Sequence, residues 1–258
     1  MDMTPRLNSP TTAVVITGGA SGIGRAAAQA LAAVGRPVAL WDIHEPNAQR
    51  AAADVGSEYG VATVAVGVDL RDPRAIAPAL QKTRAALPHI GGLVHAAGVV
   101  DTGSLEGITP QLWDDGINVH LRPIALIVQA LLEDFRAHPG SAVVAIASIN
   151  ATLGNAANPI YSAAKGGILS LVRSLADRLA QDKIRINAVS PGQILTPMLQ
   201  PTVERVPAGF FERRILLERL GEPAEVGRVI RFLLSDEASY ITAAEIVVDG
   251  GNISSQRL

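Results

Sequence analysis

The chain has 258 residues and a formal net charge of −2 at pH 7, with 22 basic and 24 acidic side chains. This length fits one large α/β domain or two small ones, and the charge balance offers no general attraction to nucleic acid or anionic membranes. The absence of cysteine excludes disulfides, thiol catalysis and cysteine-based metal sites, and it fits a reducing cytosol.

The first ten residues are polar and contain two prolines. They lack the apolar core of a signal peptide, and no apolar run in the chain reaches the roughly 18 to 20 residues that a membrane span needs. We therefore predict a disordered lead-in over residues 1–10 and a single domain over residues 11–258. We expect a soluble, cytoplasmic protein that binds neither nucleic acid nor membrane.

Short apolar runs alternate with helix-like stretches along the rest of the chain. Strands are predicted at Ala13–Thr17, Pro37–Trp41, Val61–Val68, Gly92–Ala96, Ala142–Ala147, Ile184–Val189 and Glu245–Val248. Helices are predicted up to Gly35 and over Asn47–Tyr59, Pro73–Leu87, Thr109–Phe135, Tyr161–Ala180, Val203–Leu217 and Pro223–Leu234. This alternation indicates an α/β fold, a single doubly wound Rossmann-type domain whose seven-stranded parallel sheet has helices on both faces. Ligands of such sheets bind beyond the carboxyl ends of the strands.

A glycine-rich turn joins the first strand to the first helix. Its sequence TGGASGIG places Gly18, Gly22 and Gly24 where the backbone must turn and approach a ligand closely, with Ser21 and Ile23 between them. The free N–H groups and the dipole of the following helix favour a pyrophosphate. Because the spacing differs from the G-x-G-x-x-G of the standard dinucleotide fingerprint, an ordinary turn is the alternative.

An acidic residue ends the second strand. Asp42 lies 18 residues beyond Gly24, where a carboxylate accepts hydrogen bonds from the adenosine ribose hydroxyls of NAD. The same charge repels the 2′-phosphate of NADP, and Ala20 in the turn supplies no cation to offset it, so NAD is favoured over NADP. A solvated turn residue is the alternative for Asp42. Asp69 and Gly98 follow the third and fourth strands at the same edge, although Asp69 alone could cap the next helix.

Tyr161 and Lys165 lie one turn apart on the same face of a predicted helix, in the sequence YSAAK. A nearby ammonium lowers the pKa of a phenol from about 10, so that the tyrosine can exchange a proton with a carbonyl or alcohol oxygen. Ser148 ends the fifth strand 13 residues earlier, where its hydroxyl can reach the same oxygen. A tyrosine and a lysine at this spacing usually form a surface pair, but the strand-end serine and the dinucleotide turn favour a catalytic set.

Together these motifs resemble those of the short-chain dehydrogenase/reductase family, in its compact single-domain branch. The resemblance extends from Thr17 to Gly251, with the motifs in the order that the family has them. They are TGGASGIG, the strand-end Asp42 and Asp69, Asn118, Ser148, YSAAK, the Pro191-Gly192 turn, RLGEPAEVG at Arg219–Gly227 and VDGG at Val248–Gly251.

The resemblance implies a role for each matching residue. Tyr161 would be the general acid and base, Lys165 would lower its pKa and hold the nicotinamide ribose, and Ser148 would position the substrate oxygen. Asn118 would hold a water that links Lys165 to solvent, although a hydrogen bond inside the helix is its plainer interpretation. The nicotinamide end of the cofactor would meet the residues that follow the sixth strand, namely Pro191, Gly192, Ile194 and Thr196.

Two positions depart from the family pattern. The Asn-rich turn that the family has after its fourth strand is HAAG here, at residues 95–98, and we expect His95 to make structural hydrogen bonds rather than to act in catalysis. Residues 242–243 are Thr-Ala instead of the usual Thr-Gly, where glycine would ease a tight backbone turn. The five histidines show no paired spacing typical of metal ligands, so we predict no catalytic metal.

We predict an NAD(H)-dependent oxidoreductase that interconverts a secondary alcohol and a ketone, with Tyr161 moving the proton. The nearest alternative is an NADPH-dependent reductase of 3-oxoacyl thioesters, against which Asp42 argues. A non-catalytic nucleotide-binding protein would need no poised base, and a sugar-nucleotide epimerase or dehydratase would need a separate substrate domain. The substrate is a small molecule that the sequence does not define. Its candidate pocket residues are Ser148, Asn150, Leu153, Gln193, Met198, Phe210 and Phe211.

The segment from Leu195 to Leu217 combines prolines and a glycine with large apolar side chains. The prolines argue against one continuous helix at its start, and a solvated loop has no reason to display such side chains. We predict a mobile lid that closes over substrate and nicotinamide, with a permanently packed helical excursion as the alternative. Ile117–Leu132 and Ile168–Leu179 carry more apolar residues than one sheet-facing stripe needs, which predicts a homotetramer of the kind that relatives form.

Overall fold

Seven parallel strands form the centre of the molecule in the computed structural model, which describes residues 3–87 and 89–254. The strands are β1 (Ala13–Thr17), β2 (Val38–Asp42), β3 (Thr63–Gly67), β4 (Ile90–His95), β5 (Ala142–Ile146), β6 (Arg185–Pro191) and β7 (Glu245–Val248). They pair in the order β3-β2-β1-β4-β5-β6-β7, and every pairing is parallel. The predicted doubly wound sheet is confirmed. Its strand order reverses between β1 and β4, where such sheets open a ligand crevice.

Helices connect the strands. They are α1 (Gly22–Ala32), α2 (Glu45–Tyr59), α3 (Ile76–Ala86), α4 (Pro110–His120), α5 (Arg122–Ala130), α6 (Leu132–Ala137), α7 (Asn150–Leu153), α8 (Pro159–Ala180), α9 (Gln200–Val203) and α10 (Pro223–Leu233). Single 3-10 turns lie at Pro73–Ala75, Glu212–Arg214 and Asp236–Ala238. Within residues 3–87 and 89–254, no helix is long and apolar enough to cross a membrane.

The core has two layers, one on each face of the sheet, because successive side chains of a strand point to opposite faces. Val15 of β1 belongs to the layer that includes side chains of α3, α5 and α8. Val14 and Ile16, its neighbours on the same strand, belong to the layer that includes α1, α2 and α10. All three valine and isoleucine side chains are fully buried. Helices therefore cover both faces of the sheet, as predicted.

The predicted helical region Thr109–Phe135 is divided into three helices, α4, α5 and α6. α4 ends at His120 with Leu121 as its C-cap, and Pro123 lies in the first turn of α5. Proline lacks the N–H that an unbroken helical ladder needs, which explains the first break. The break has a functional consequence, because it puts His120 at the end of a helix, beside the cavity described below.

The predicted helix Val203–Leu217 is wrong. The segment contains only the end of α9 and the 3-10 turn Glu212–Arg214. Pro207 and Gly209 separate these two pieces, and Gly209 has a φ of +75° that a helix does not accommodate. The chain between β6 and α10 is therefore mostly irregular.

Residues 3–10 contact the domain, whereas the sequence predicts a disordered lead-in over residues 1–10, of which residues 1 and 2 lie outside the described part. Arg6 forms an ion pair with Asp236 at 2.8 Å, and the Ser9 hydroxyl donates to the same carboxylate at 2.5 Å. The Asp236 N–H donates in return to the Ser9 carbonyl oxygen at 2.7 Å. These contacts hold the start of the chain against the turn that follows α10.

Candidate active site

A cavity of about 640 Å³ opens at the carboxyl ends of the strands. Its walls come from the glycine-rich turn, the ends of β2, β3 and β4, the end of α4 and the start of α8. The predicted site residues that line it are Gly18, Ser21, Gly22, Ile23, Gly24, Asp42, Asp69, Gly98, Tyr161, Lys165, Thr196 and Met198. Tyr161 and Lys165, from the predicted catalytic set, therefore share one cavity with most of the predicted cofactor residues.

The glycine-rich turn leaves the start of α1 open towards this cavity. Gly18 and Gly22 have positive φ angles of +65° and +52°, which residues with a side chain rarely adopt. A Cβ on Gly24 would overlap the carbonyl oxygen of Gly18. Ser21, the N-cap of α1, makes no side-chain capping hydrogen bond, and the first turn of α1 contains no acidic residue. The N–H groups of this turn thus suit a pyrophosphate, and the site fits a dinucleotide cofactor.

Backbone donors orient Asp42 at the end of β2. Its Oδ2 accepts a hydrogen bond from the Ala20 N–H at 3.2 Å, and its Oδ1 accepts one from the His44 N–H at 3.0 Å. The carboxylate therefore lies beside the glycine-rich turn, where the ribose of an adenosine would meet it. Ile43, the next residue of the cavity wall, is 53% exposed and offers an apolar surface there rather than a cation.

Asp69 is paired with Arg71 at the outer part of the cavity. The Arg71 guanidinium donates to both carboxylate oxygens, with its shortest hydrogen bond at 2.7 Å. This hydrogen bonding lowers the pKa of Asp69, so the carboxylate stays ionised. The following 3-10 turn is capped by Asp72, which accepts from the Arg74 N–H, and not by Asp69.

Lys165 is buried behind Tyr161 on the same face of α8. Its Nζ donates to the Ile146 carbonyl oxygen at 2.6 Å and lies 5.4 Å from the centre of the Tyr161 ring. Burial lowers the pKa of Lys165 from 10.5 to about 7. The structure therefore brings the two side chains of the YSAAK motif together, with the amine close to the midpoint of its titration at neutral pH.

Burial raises the pKa of Tyr161, and a hydrogen bond with Ser148 opposes this rise. The sequence predicts instead that the Lys165 ammonium lowers this pKa. The difference has a physical reason, because burial also removes charge from Lys165. Ser148 lies at the end of β5 and is 7% exposed, and its Oγ accepts from the Asn150 N–H at 3.1 Å. Tyr161 thus holds its proton at neutral pH, as a general acid must.

Two buried histidines border the catalytic pair. His95 Nδ1 lies 2.9 Å from Thr17 Oγ1, and its Nε2 lies 3.1 Å from the Val119 carbonyl oxygen. Because a carbonyl oxygen only accepts, Nε2 carries the hydrogen. Burial lowers the pKa of His95 to about 3, so the ring is neutral. The predicted structural role of His95 is confirmed, since its ring joins β1 to α4.

His120, to which no sequence motif points, lines the cavity and is 1% exposed. Its ring meets the Tyr161 ring edge to face, with the centroids 5.4 Å apart and the planes at 88°. Its Nε2 lies 2.7 Å from the Val99 carbonyl oxygen, and burial with the charge of Lys165 keeps its pKa well below the usual value. The sequence offers one signal, a histidine within the mostly apolar stretch INVHL. A histidine at this position is not part of any motif that indicates a function.

Several other predicted site residues lie outside the cavity wall. Asn118 is half-buried on α4, and the wall beside it is formed by Val119 and His120. The Gln193 side chain accepts a hydrogen bond from Asn252 at 2.7 Å. Of the remaining predicted residues, those that do not line the cavity are Ser148, Asn150, Leu153, Pro191, Gly192, Ile194, Phe210 and Phe211.

Comparisons with known proteins match nearly the whole chain. A family model described as Enoyl-(Acyl carrier protein) reductase matches residues 18–252. The chain is 35% identical over 241 residues to the probable galactose dehydrogenase GalD of Rhizobium meliloti (strain 1021), which covers 92% of this chain and 93% of that protein. It is 33% identical over 237 residues to the 3-oxoacyl-(acyl-carrier-protein) reductase FabG of Thermotoga maritima, covering 92% of this chain and 96% of that protein.

Solved structures show the same architecture. The crystal structure of L-sorbose reductase from Gluconobacter frateurii, complexed with NADPH and L-sorbose, matches with a TM-score of 0.88 and 26% sequence identity. The match covers 95% of this chain and 97% of that one. The fold of this chain thus agrees with that of an enzyme whose crystal structure contains a dinucleotide, NADPH.

Proposed function

Because the chain belongs to the short-chain dehydrogenase/reductase family, we propose that it is an NAD(H)-dependent oxidoreductase that interconverts a secondary alcohol and a ketone. The observation that carries the proposal is the contact of the Lys165 amine with the Tyr161 ring, 5.4 Å from its centre, at a cavity whose wall also contains Asp42. A buried, protonated phenol next to an amine is suited to exchange a proton with a substrate oxygen. A dinucleotide site in the same cavity is suited to bind the nicotinamide cofactor that would carry the accompanying hydride.

The residues of the chain account for the proton side of this reaction. When bound, the nicotinamide would supply or accept the hydride. The Tyr161 hydroxyl would give its proton to the carbonyl oxygen of a ketone, and in the reverse direction it would remove the proton of the alcohol. The Ser148 hydroxyl would donate a hydrogen bond to the same substrate oxygen. Lys165, once protonated, would stabilise the phenolate that Tyr161 becomes.

The cofactor would lie along the carboxyl edge of the sheet. The first turn of α1 would bind its pyrophosphate, and Asp42 would accept hydrogen bonds from the adenosine ribose hydroxyls. Lys165 would bind the nicotinamide ribose, and Thr196 lies on the cavity wall where the nicotinamide would end. The presence of these groups on one cavity wall supports this placement of the cofactor.

Asp42 supports NAD over NADP, because its carboxylate would face the 2′-phosphate of NADP at the end of β2. L-sorbose reductase, which has the same fold, is complexed with NADPH, so the choice between the two cofactors needs a direct test. Initial rates and Kd values with NADH and NADPH, measured on one preparation, test this choice. Tighter binding and faster turnover with NADPH would contradict it.

A second candidate is an NADPH-dependent 3-oxoacyl thioester reductase. The 33% identity to a 3-oxoacyl-(acyl-carrier-protein) reductase favours it, whereas Asp42 argues against it. A non-catalytic nucleotide-binding protein is less favoured, because it would need no contact between Tyr161 and Lys165. A panel of secondary alcohols, sugars and a 3-oxoacyl thioester, followed by the absorbance of NADH or NADPH, separates these functions. Reduction of the thioester alone would replace the proposed function with this second candidate.

The remaining features of the proposal concern the whole enzyme. We propose a homotetramer on the apolar composition of residues 117–132 and 168–179, and Trp113 of α4, which is 42% exposed, adds to the apolar surface of this region. The cysteine-free composition supports a cytoplasmic location. Residues 195–217 would act as a lid over the substrate, and Met198 at the cavity wall supports this.

A further inference from the structure

The start of α8, the helix that carries Tyr161 and Lys165, lacks the usual local cap. Its N-cap residue Asn158 makes no side-chain capping hydrogen bond. The Asn158 Nδ2 instead donates to the carbonyl oxygen of Asp101. The first N–H groups of a helix have no partner within the helix, and here they include the N–H of Tyr161 itself. The position of Tyr161 therefore depends on whatever group accepts from this turn.

Asp101 supplies that group from a distant part of the chain. Its Oδ2 accepts from the Ile160 N–H at 3.2 Å, and its Oδ1 accepts from the Tyr161 N–H at 2.9 Å. These donors lie 59 and 60 residues after Asp101 in sequence. A carboxylate at a helix N-terminus is further stabilised by the helix dipole. One side chain thus accepts two hydrogen bonds in the turn that carries the acid and base.

The segment Val99–Asp101 follows β4 and Gly98 at the cavity wall. Besides the hydrogen bonds of Asp101, it has an indirect contact with Tyr161, because His120 lies between Val99 and the Tyr161 ring. The His120 Nε2 lies 2.7 Å from the Val99 carbonyl oxygen, and the His120 ring packs edge to face on the Tyr161 ring. The backbone and the ring of Tyr161 are therefore both held by the segment that continues the candidate cofactor cleft.

We infer that Asp101 is a positioning residue that holds Tyr161 at the distance from the cofactor cleft that proton transfer needs. The inference rests on the proposed function, because it takes Tyr161 as the acid and base. Proton transfer requires a heavy-atom distance of about 2.6 to 3.2 Å, and a misplacement of about 1 Å costs on the order of 100-fold in rate. Without the Asp101 carboxylate the first turn of α8 would lose two acceptors and its tie to the segment after β4, so Tyr161 would be free to shift relative to the cleft.

The first test is Asp101→Asn, assayed with the best alcohol from the substrate panel and with NADH binding followed by fluorescence. The amide keeps one acceptor oxygen but presents an N–H group to the second helix N–H. We expect kcat to fall about tenfold or more, with the Kd of NADH changed less than about twofold. Hydrogen exchange at residues 160–162 should become faster.

Glu225→Gln is the matched control, because Glu225 forms the capping box of α10 with Glu222 and lies outside the cavity wall. We expect a Tm loss of a few degrees for both variants, but a lower kcat for Asp101→Asn alone. Equal kcat values for Asp101→Asn and wild type, in an enzyme that Tyr161→Phe inactivates, overturn the positioning role and leave the proposed function intact. Full activity of Tyr161→Phe overturns both.

A double variant separates positioning from simple helix capping. Asp101→Ala with Asn158→Asp gives α8 a local N-cap carboxylate and removes its links to the segment after β4. We expect this variant to recover the Tm lost by Asp101→Ala while kcat stays low. If kcat recovers together with the Tm, Asp101 serves only as a cap and the positioning role is wrong.

Discussion

Burial controls the ionisation of the two central residues of the candidate site. It raises the pKa of Tyr161 and lowers that of Lys165 to about 7, so that both groups favour their neutral forms. A neutral phenol next to a half-titrated amine suits an enzyme that must both give and take a proton near pH 7. These ionisation states depend on the packing of α8 against β5, whose Ile146 carbonyl oxygen accepts a hydrogen bond from Lys165.

Replacement of Tyr161 by phenylalanine tests the acid and base directly. The ring still packs against His120, but the transferable proton is absent, so we expect kcat to fall by about 100- to 10,000-fold. NADH binding should change little, as measured by fluorescence titration. Tyr240→Phe is the matched control, because Tyr240 is fully exposed and should keep wild-type kcat. Near-normal turnover of Tyr161→Phe would move the acid and base to another residue.

Asp42 tests the choice of cofactor. In Asp42→Ala the ribose hydroxyls lose an ionised acceptor and the 2′-phosphate loses a repelling charge. We expect the preference for NADH over NADPH to narrow by about tenfold to 100-fold, measured as the ratio of the two kcat/KM values. Asp177→Ala, at an exposed position of α8, is the control and should leave this ratio unchanged. An unaltered ratio in Asp42→Ala would remove Asp42 from the cofactor site.

The turn before β7 contains a strained alanine, which explains why the family has glycine there. Ala243 has a φ of +58°, and its N–H donates to the Ile186 carbonyl oxygen at 2.8 Å, so the turn cannot relax without losing that bond. A left-handed residue with a side chain costs about 1 to 2 kcal/mol, and the added flexibility of glycine when unfolded offsets roughly half of this. We expect Ala243→Gly to stabilise the protein by about 1 kcal/mol, seen as a Tm rise of about 2 to 4 °C.

The control for this variant is the same substitution in a helix. Ala53→Gly at an exposed position of α2 should lower the Tm by a similar amount, because helical glycine costs about 1 kcal/mol. A lower Tm for Ala243→Gly, at the same protein concentration, would show that the alanine methyl group contributes more than its backbone conformation costs.

The segment between β6 and α10 is the element from which we expect motion. It is mostly irregular, and it exposes Met198, Leu216 and Leu217 at 49%, 44% and 64%. Closure over a bound substrate would bury this apolar surface and exclude water from the site. We expect hydrogen exchange of residues 196–211 to slow when NADH and a substrate analogue bind together, while residues 45–59 of α2 exchange as before. Equal, strong protection of residues 196–211 with and without ligands would show a permanently packed segment.

A feature can be predicted from the sequence when the residues that form it are close together in the chain. Strands and the YSAAK pair are local patterns, and β1 and β7 have the bounds that the sequence predicts. The contacts of Asp101 and His120 with α8 join residues 40 or more positions apart, which no periodicity encodes. The predicted lowering of the Tyr161 pKa is wrong for a related reason. It assumes a charged Lys165, whereas the burial that lowers the pKa of Lys165 depends on the packed core. The strands and the catalytic motif are therefore predictable from the sequence, whereas the contacts that hold the motif from distant parts of the chain are not.

The two edges of the sheet have different roles in the molecule as a whole. The carboxyl edge forms the cavity, whereas the amino edge is held by the buried Arg36 and the half-buried Arg185. Arg36 donates to the Thr12 and Leu234 carbonyl oxygens, and Arg185 donates to the Leu233 carbonyl oxygen. Burial lowers the pKa of Arg36 to about 10, which still leaves it charged at neutral pH. Lys165, at the opposite edge, is a buried amine whose desolvation costs stability, as its lowered pKa indicates.

The pH dependence of stability measures that cost in the cofactor-free protein. The pKa of Lys165 is about 7 when folded and about 10.4 when unfolded, so the unfolded chain binds more protons between these values. Stability must then rise with pH across this range, whereas below pH 7 both states hold the proton and the buried charge is most unfavourable. Arg36, with a pKa of about 10 in the folded protein, loses its proton only in the upper part of this range, and the raised pKa of Tyr161 also acts at its alkaline end.

We expect the free energy of unfolding of wild type, from urea denaturation, to rise by about 3 kcal/mol between pH 7 and pH 9.5 relative to Lys165→Met. The methionine side chain fills the same space without a charge, so this variant should be the more stable protein at pH 7. Lys82→Met, at an exposed position of α3, is the control and should follow the wild-type pH dependence. Parallel pH profiles for wild type and Lys165→Met would mean that Lys165 keeps its ordinary pKa in the folded protein. The amine would then be fully charged at neutral pH and would favour the phenolate of Tyr161 before any substrate binds.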